Sequence, residues 1–293
     1  MSTPTSPLIW VNGELDHQLS ALDRGLAYGD GLFETCRLHN GRIPLWSRHL
    51  QRLLASSAVF AIELNTKQLE SWVDTALALL REQNIRQGTF KLILTRGVGG
   101  RGYQQPHRVA PTIVLMVQPD NLELLTARPT PARLKVCRMR LGRNRVLAGH
   151  KHLNRLESVL ARAEWQDNTF DEGLMLDDRA NVIEATSHNV FIYREGCWHT
   201  PVLDESGVAG VMRQLVMDEL APRCGVRVNV APLSLDAVYS AEEVMLCNSN
   251  RGVRPVAAIA DDAGTLHQFS HHNNVLRLSA ALSDFLQGKG SGQ

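Results

Sequence analysis

Ala148-Gly149-His150-Lys151-His152-Leu153-Asn154-Arg155-Leu156 decides the reading of this chain, together with Val182-Ile183-Glu184-Ala185-Thr186-Ser187-His188-Asn189-Val190-Phe191. A small apolar run, Val146-Leu147-Ala148-Gly149, leads into Lys151, and a helical pattern starts after it. A desolvated lysine is a nucleophilic amine that condenses with carbonyls. A glutamate behind an apolar β-like pair can hold a cationic ring nitrogen. Neither signal is specific alone. A single lysine also fits a solvated surface charge, and a strand carboxylate commonly points to water.

The composition sets the frame. The chain has 293 residues, 44% hydrophobic and 21% charged, which suits a soluble globular protein with one large or two ordinary domains. A net charge of +1 gives no global field for nucleic acid or an anionic membrane, so any anion must be held locally. Cys36, Cys137, Cys197, Cys224 and Cys247 are scattered, odd in number and contain no CxxC. That argues against a zinc site or a disulfide framework and for reduced thiols in the cytoplasm. Met1 to Pro7 lacks the basic start and apolar core of a signal peptide, and no run of about 18 apolar residues marks a membrane helix. Gly288 to Gln293 reads as a frayed tail.

Strand-like and helical patterns mix without strict βαβ alternation, which predicts an α+β fold. Leu8 to Val11 with Asn12-Gly13 reads as a strand and hairpin turn, and Leu32 to Leu38, Asn40-Gly41 and Arg42 to Leu45 repeat the pattern. Arg48 to Phe60 and Leu69 to Glu82 carry apolar residues at helical spacing. Proline-bearing residues 119–131 read as a linker between a smaller N-terminal α/β domain, 1–118, and a larger domain, 132–293. In the larger part, helices are expected over Leu153 to Asp167, Met212 to Cys224 and Val275 to Leu286, among several short strands.

Further stretches carry chemistry weakly when taken singly. Gly207-Val208-Ala209-Gly210-Val211-Met212-Arg213 opens a helix, where free backbone N–H groups suit a phosphate, although an ordinary glycine loop fits equally. Cys247-Asn248-Ser249-Asn250 ends a strand with short polar side chains. Arg48 and Arg52 stand at i, i+4, so one could reach a phosphate bidentately. Arg96-Gly97-Val98-Gly99-Gly100-Arg101-Gly102-Tyr103 suits a carboxylate-bearing substrate, and it lacks the GK[ST] of a P-loop.

As a set, these residues resemble the fold-type IV pyridoxal phosphate enzymes, the group of branched-chain and D-amino acid aminotransferases and 4-amino-4-deoxychorismate lyases. The resemblance runs roughly from Leu8 to Leu286. It rests on Asp23-Arg24-Gly25, Tyr28-Gly29-Asp30-Gly31, His49-Leu50-Gln51-Arg52-Leu53, Lys151-His152-Leu153-Asn154 and Glu184 through Phe191. Within the group the chain is most similar to the lyases, through the Arg96–Tyr103 loop, Leu141-Gly142-Arg143-Asn144, Lys151 to Glu157, and the threonine of Phe33-Glu34-Thr35.

The resemblance implies a two-domain architecture with pyridoxal phosphate in the larger domain, no metal, and a homodimer. It implies that Lys151 carries the cofactor and moves protons, with Thr35 as a second catalytic group. Glu184 would pair with the pyridine nitrogen. Arg52, Ser187, the Val211 and Met212 amides and the Ser249 hydroxyl would hold the rest of the cofactor. Arg101, Asn248, Tyr103 and Tyr28 would face the substrate, with Arg96 competing with Arg101 for its carboxylate. The implied reaction splits 4-amino-4-deoxychorismate into 4-aminobenzoate and pyruvate. Amino-group transfer on the same scaffold is the alternative.

Overall fold

A computed structural model describes residues 6–106 and 110–288. The polar start up to residue 5 and the tail beyond Gly288 lie outside the described residues. The chain divides into two compact units, Met1–Glu123 with His150–Asn154, and Leu124–Gly149 with Arg155–Gln293. Each contains a sheet and helices, so the class is α+β.

Unit 1 begins with β1 (Leu8–Val11) and β2 (Glu14–Leu15). Asn12 at φ 50 and Gly13 at φ 90 supply the two left-handed residues that this tight hairpin needs. α1 (Arg24–Tyr28), β3 (Gly31–Leu38), α2 (Trp46–Val59), α3 (Thr66–Glu82), β4 (Gly88–Thr95) and β5 (Thr112–Pro119) follow. The sheet order is β2-β1-β5-β4-β3, with antiparallel neighbours. Leu53 of α2 and Leu69, Val73, Ala76 and Leu80 of α3 share a core with Phe90, Leu92 and Leu94 of β4. Of the apolar residues at helical spacing, Leu53, Ala76 and Leu80 are buried and Leu50, Trp72 and Leu79 pack half-buried against the core, while Ala58 is exposed and Ser56 and Ser57 take buried positions. Arg42 to Leu45, expected as a strand, makes one bridge, His39 to Arg42. Pro44 has no N–H to extend a ladder, and α2 starts two residues later.

His150–Asn154 belongs to unit 1, although the sequence reading sets it in the larger domain. The Phe33 N–H donates to the Lys151 carbonyl at 2.9 Å, and the Leu153 N–H donates to the Gly31 carbonyl at 3.0 Å. This pairing with β3 keeps residues 151–153 out of a helix. The following helix, α4 (Leu156–Arg162), therefore starts after the expected Leu153, and it also ends before the expected Asp167.

Unit 2 contains α4 and β6 (Ala132–Leu141), β7 (Glu172–Asp177), β8 (Val182–Ala185), β9 (Asn189–Arg194) and β10 (Cys197–Thr200). α5 (Val211–Leu215), a π turn (Val216–Leu220) and α6 (Ala221–Arg223) follow one another without a break and form the helical stretch expected over Met212 to Cys224. β11 (Val228–Val230), α7 (Leu235–Tyr239), β12 (Glu243–Asn248), β13 (Gly252–Ala260), β14 (Leu266–Gln268) and α8 (Asn273–Leu286) complete it. The sheet runs β11-β10-β9-β12-β13-β6-β7-β8, with β14 on β13.

β13 is central yet carries Pro255, which masks it in the sequence. Its register explains the tolerance. Residues 252–255 pair with β12 and residues 256–260 pair with β6, so the proline sits where one ladder hands over to the other. Residues 120–131 form no helix or strand, and the boundary between units falls within them. The five cysteines are free, and no helix among the described residues is long and apolar enough to cross a membrane.

Candidate active site

In unit 1, β3 alternates its side chains. Leu32, Glu34 and Cys36 take the buried face, and half-buried Phe33 and Thr35 share the other. The Lys151 Nζ lies 4.2 Å from the centre of the Phe33 ring. The two residues named as catalytic thus meet the same strand: Lys151 over Phe33, and Thr35 two positions along it.

Behind them lies a charged cluster. Buried Glu34 accepts from Arg52 Nε at 2.9 Å, from Arg52 Nη2, and from His49 Nδ1 at 2.7 Å. His49 and Arg52 are i, i+3 on α2, so both face β3. Burial alone would raise the Glu34 carboxyl, but the Arg52 charge and the His49 hydrogen bond hold it at about 2. Burial keeps His49 towards its neutral form, so it serves Glu34 as a donor more than as a cation. Lys151 is close enough for its charge to reach both His49 and Cys36. The guanidinium of Arg52 is thereby aimed by a fixed carboxylate.

The two candidates for a substrate carboxylate separate cleanly. Buried Arg96 donates to Asp30 through Nε at 2.8 Å and Nη2 at 3.1 Å, and to the carbonyls of Ala61 and Phe60 at 2.7 and 2.8 Å. It is a structural clamp. Arg101 is exposed, as is Tyr103, whose ring lies 5.6 Å from that of Tyr28.

In unit 2, Glu184 is the inward carboxylate of β8. Its Oε2 accepts the Val208 N–H at 2.9 Å and lies 3.5 Å from Asn189 Nδ2, which itself donates to the Val208 carbonyl at 2.9 Å. The charges of Arg155 and Arg213 reach the same carboxylate. Glycines make room: a Cβ on Gly207 would stand 2.7 Å from Ile183 Cγ2 and 3.3 Å from Glu184 Oε2, and one on Gly210 would overlap Asn189 Oδ1. Gly210 precedes α5 with no side-chain cap, and Val211 and Met212 are the first two helical residues.

Two residues expected at the site have partners within the protein. The Ser187 hydroxyl donates to Glu172 and lies 3.0 Å from His188 Nδ1, in a buried cluster. Asn248 is engaged in its turn: its Nδ2 donates to the Ser187 carbonyl at 3.1 Å, and its Oδ1 accepts from the Asn250 and Arg251 amides at 3.1 and 2.7 Å. Half-buried Ser249 follows it.

Sequence reasoning gave no role to Glu34, His49 or Glu172. An acidic residue on a strand face otherwise made of Leu32, Cys36 and Leu38 was the available signal for Glu34.

The family described as Amino-transferase class IV matches residues 31–259. An aminodeoxychorismate lyase of Vibrio harveyi is 35% identical over 86% of this chain and 92% of its own length. A Methanocaldococcus jannaschii protein provisionally named a branched-chain-amino-acid aminotransferase is 32% identical over 86% of this chain and 87% of its own. The crystal structure of a Pseudomonas aeruginosa 4-amino-4-deoxychorismate lyase superposes with a TM-score of 0.82 at 40% identity, covering 96% of this chain and 98% of that one.

Proposed function

The chain belongs to the class IV amino-transferase family, and from that premise we propose that it is a pyridoxal phosphate-dependent lyase converting 4-amino-4-deoxychorismate to 4-aminobenzoate and pyruvate, a step on the route to folate. The observation that carries the choice of lyase over transaminase is the likeness itself. The lyase structure stands at 40% identity over nearly the whole of both chains, and the aminotransferase structures share the fold at about half that identity.

The residues fit the cofactor. A buried carboxylate oriented by the Val208 amide and the Asn189 carboxamide suits a protonated ring nitrogen. The glycines at 207 and 210 let this loop pack closely on the carboxylate and its partner Asn189, because a Cβ on Gly207 would crowd Ile183 and Glu184 and one on Gly210 would collide with Asn189. Lys151 would carry the cofactor, Glu184 would hold its ring nitrogen, and Arg52 with the Val211 and Met212 amides and the Ser249 hydroxyl would take the phosphate. When bound, the cofactor supplies an electron sink for the substrate carbon that bears the amine.

Lys151 Nζ removes the proton from that carbon. The positive charge opposite Glu184 is kept by its carboxylate, which favours carbanion character at the same carbon. Loss of the neighbouring enolpyruvyl group makes the ring aromatic. A proton from Lys151 Nζ or Thr35 Oγ1 ends on the departing group, which leaves as pyruvate. The proton taken from one product is thus returned to the other, and no second substrate is required. Arg101, Tyr103 and Tyr28 would receive the anionic ring.

Pyruvate release from 4-amino-4-deoxychorismate in the absence of any 2-oxo acid tests this reading. Turnover that requires an added acceptor would favour the aminotransferase. A homodimer in the cytoplasm completes the proposal. Exposed Leu22 and Leu26 in unit 1, and Leu156 and Val159 in unit 2, are apolar surface that a second copy would cover. Light scattering after size exclusion reads the mass.

A further inference from the structure

Arg24 is 4% exposed, far more buried than an unpaired arginine tolerates. Its Nε donates to Asp30 Oδ2 at 2.8 Å. Its Nη1 points into the loop that carries Arg101, reaching the Gly102 carbonyl at 3.0 Å and the Gly99 and Gln104 carbonyls at 3.4 Å. Its Cζ stands 4.9 Å from the centre of the Tyr28 ring, and that ring meets Tyr103 of the same loop. One guanidinium therefore stands against the Tyr28 ring and binds the backbone on either side of Arg101.

The loop needs such an anchor. Gly97, Gly99, Gly100 and Gly102 all have positive φ, at 91, 135, 79 and 55°, so the segment has no repeating backbone to hold itself. At its base the Arg24 N–H donates to the Gly97 carbonyl at 2.9 Å, and Asp23 accepts the Gly25 N–H at 2.8 Å and the Thr95 hydroxyl at 2.9 Å. At its crown the Arg24 side chain is the tie. Gly100 is fitted to it: a Cβ there would lie 2.6 Å from the Gln104 carbonyl oxygen and 3.2 Å from Arg24 Nη1. Asp30 completes the frame by binding Arg96 on its other side.

We propose that Arg24 is a positioning residue for substrate, which shapes the Gly97–Gln104 loop and the Tyr28–Tyr103 pair so that Arg101 is presented to an anionic ring. The proposal rests on the reading that Arg101 and Tyr103 face the substrate. Arg24 itself touches no reacting atom. Its effect falls on substrate binding, and the residues assigned to the cofactor are untouched.

The experiment uses the full-length, cofactor-loaded enzyme and the variants Arg24→Met, Arg24→Lys and Gly100→Ala. Trypsin cleavage of the Arg101–Gly102 bond, read as the mass of the fragment ending at Arg101, reports the loop without any substrate. Arg24→Met is expected to speed that cleavage about tenfold and to raise KM for 4-amino-4-deoxychorismate about tenfold, the size expected for losing charge-assisted hydrogen bonds, with kcat within about threefold. Cofactor absorbance stays as in the wild type. Arg24→Lys keeps the charge and recovers part of both effects. Gly100→Ala retains the guanidinium but crowds it, and shows the Arg24→Met pattern, which covers the case in which Arg24→Met does not fold. Unchanged cleavage in folded Arg24→Met overturns the anchor. Faster cleavage with an unmoved KM overturns the positioning role and removes Arg101 from the substrate. A wild type without acceptor-free turnover sinks the lyase reading while leaving the cleavage result standing.

Discussion

Glu34 in unit 1 and Glu172 in unit 2 are both buried carboxylates held at about 2, and they reach that value by different means. Burial would raise both. Glu34 is answered chiefly by the Arg52 charge, with His49 as a neutral-leaning donor. Glu172 is answered by His188 at 3.0 Å and by the hydroxyls of Thr186 and Ser187, three consecutive side chains of the β8–β9 turn converging on one carboxylate. The difference teaches what each is for. A carboxylate against a guanidinium fixes the direction of a rigid planar fork, here Arg52, which is assigned the phosphate. A carboxylate under a ring of small donors fixes a backbone turn, here the one between Glu184 on β8 and Asn189 on β9.

The contrast can be broken by substitution. Glu34→Gln is the largest change, because it removes the buried charge that two Arg52 nitrogens and His49 Nδ1 address. We expect a loss of about 3–5 kcal/mol in urea unfolding, with weaker cofactor retention on dialysis. A loss below about 1 kcal/mol would show that Arg52 is aimed by something other than Glu34. Glu172→Gln keeps an acceptor for one hydroxyl and should cost about 1–3 kcal/mol. Ser187→Ala should cost about 0.5–1.5 kcal/mol with unchanged cofactor retention, since its hydroxyl serves Glu172. Reduced retention in Ser187→Ala would return that residue to the cofactor.

Acid sharpens the comparison further. Each folded-state value, about 2, lies below the unfolded glutamate value of roughly 4.3, so each carboxylate contributes stability that is fully present above the unfolded value. That stability is lost as pH falls through the folded value. Wild-type stability should therefore drop between about pH 4 and pH 2, and Glu172→Gln should show a shallower drop. A parallel pair of curves would mean that Glu172 is not depressed in the native state.

How much of this was legible in the sequence follows from the range of each interaction. Local signals read well. Asn12-Gly13 named its own turn, and the apolar spacing of α2 and α3 named the helices and part of the face they bury, with Ala58 exposed against expectation. The Lys151 and Glu184 stretches pointed to a chemistry only as part of the wider motif set that carries the family resemblance. Pairings between distant segments did not read. Nothing local says that Lys151 would be drawn onto β3, which kept residues 151–153 out of a helix, so that α4 starts after them. The strand around Pro255 was not read, and its register shows why a proline is tolerated there. Glu172 looked like a strand end, because the three donors that define it arrive from a turn on a different strand. Arg24 lay in a quoted motif with no visible task, since its acceptors are loop carbonyls, which any sequence would supply.

The central claim is that Lys151 removes the proton from the amine-bearing carbon and that the neighbouring group then leaves as pyruvate without an acceptor. The direct measurement follows both products from 4-amino-4-deoxychorismate alone, with wild type and Lys151→Ala side by side. Wild type should release pyruvate and 4-aminobenzoate in equal amounts over many turnovers, and folded Lys151→Ala should lose at least about 10⁴-fold in rate. Absence of both products, with the substrate's amine passed instead to an added 2-oxo acid, or sustained turnover by Lys151→Ala, would contradict it.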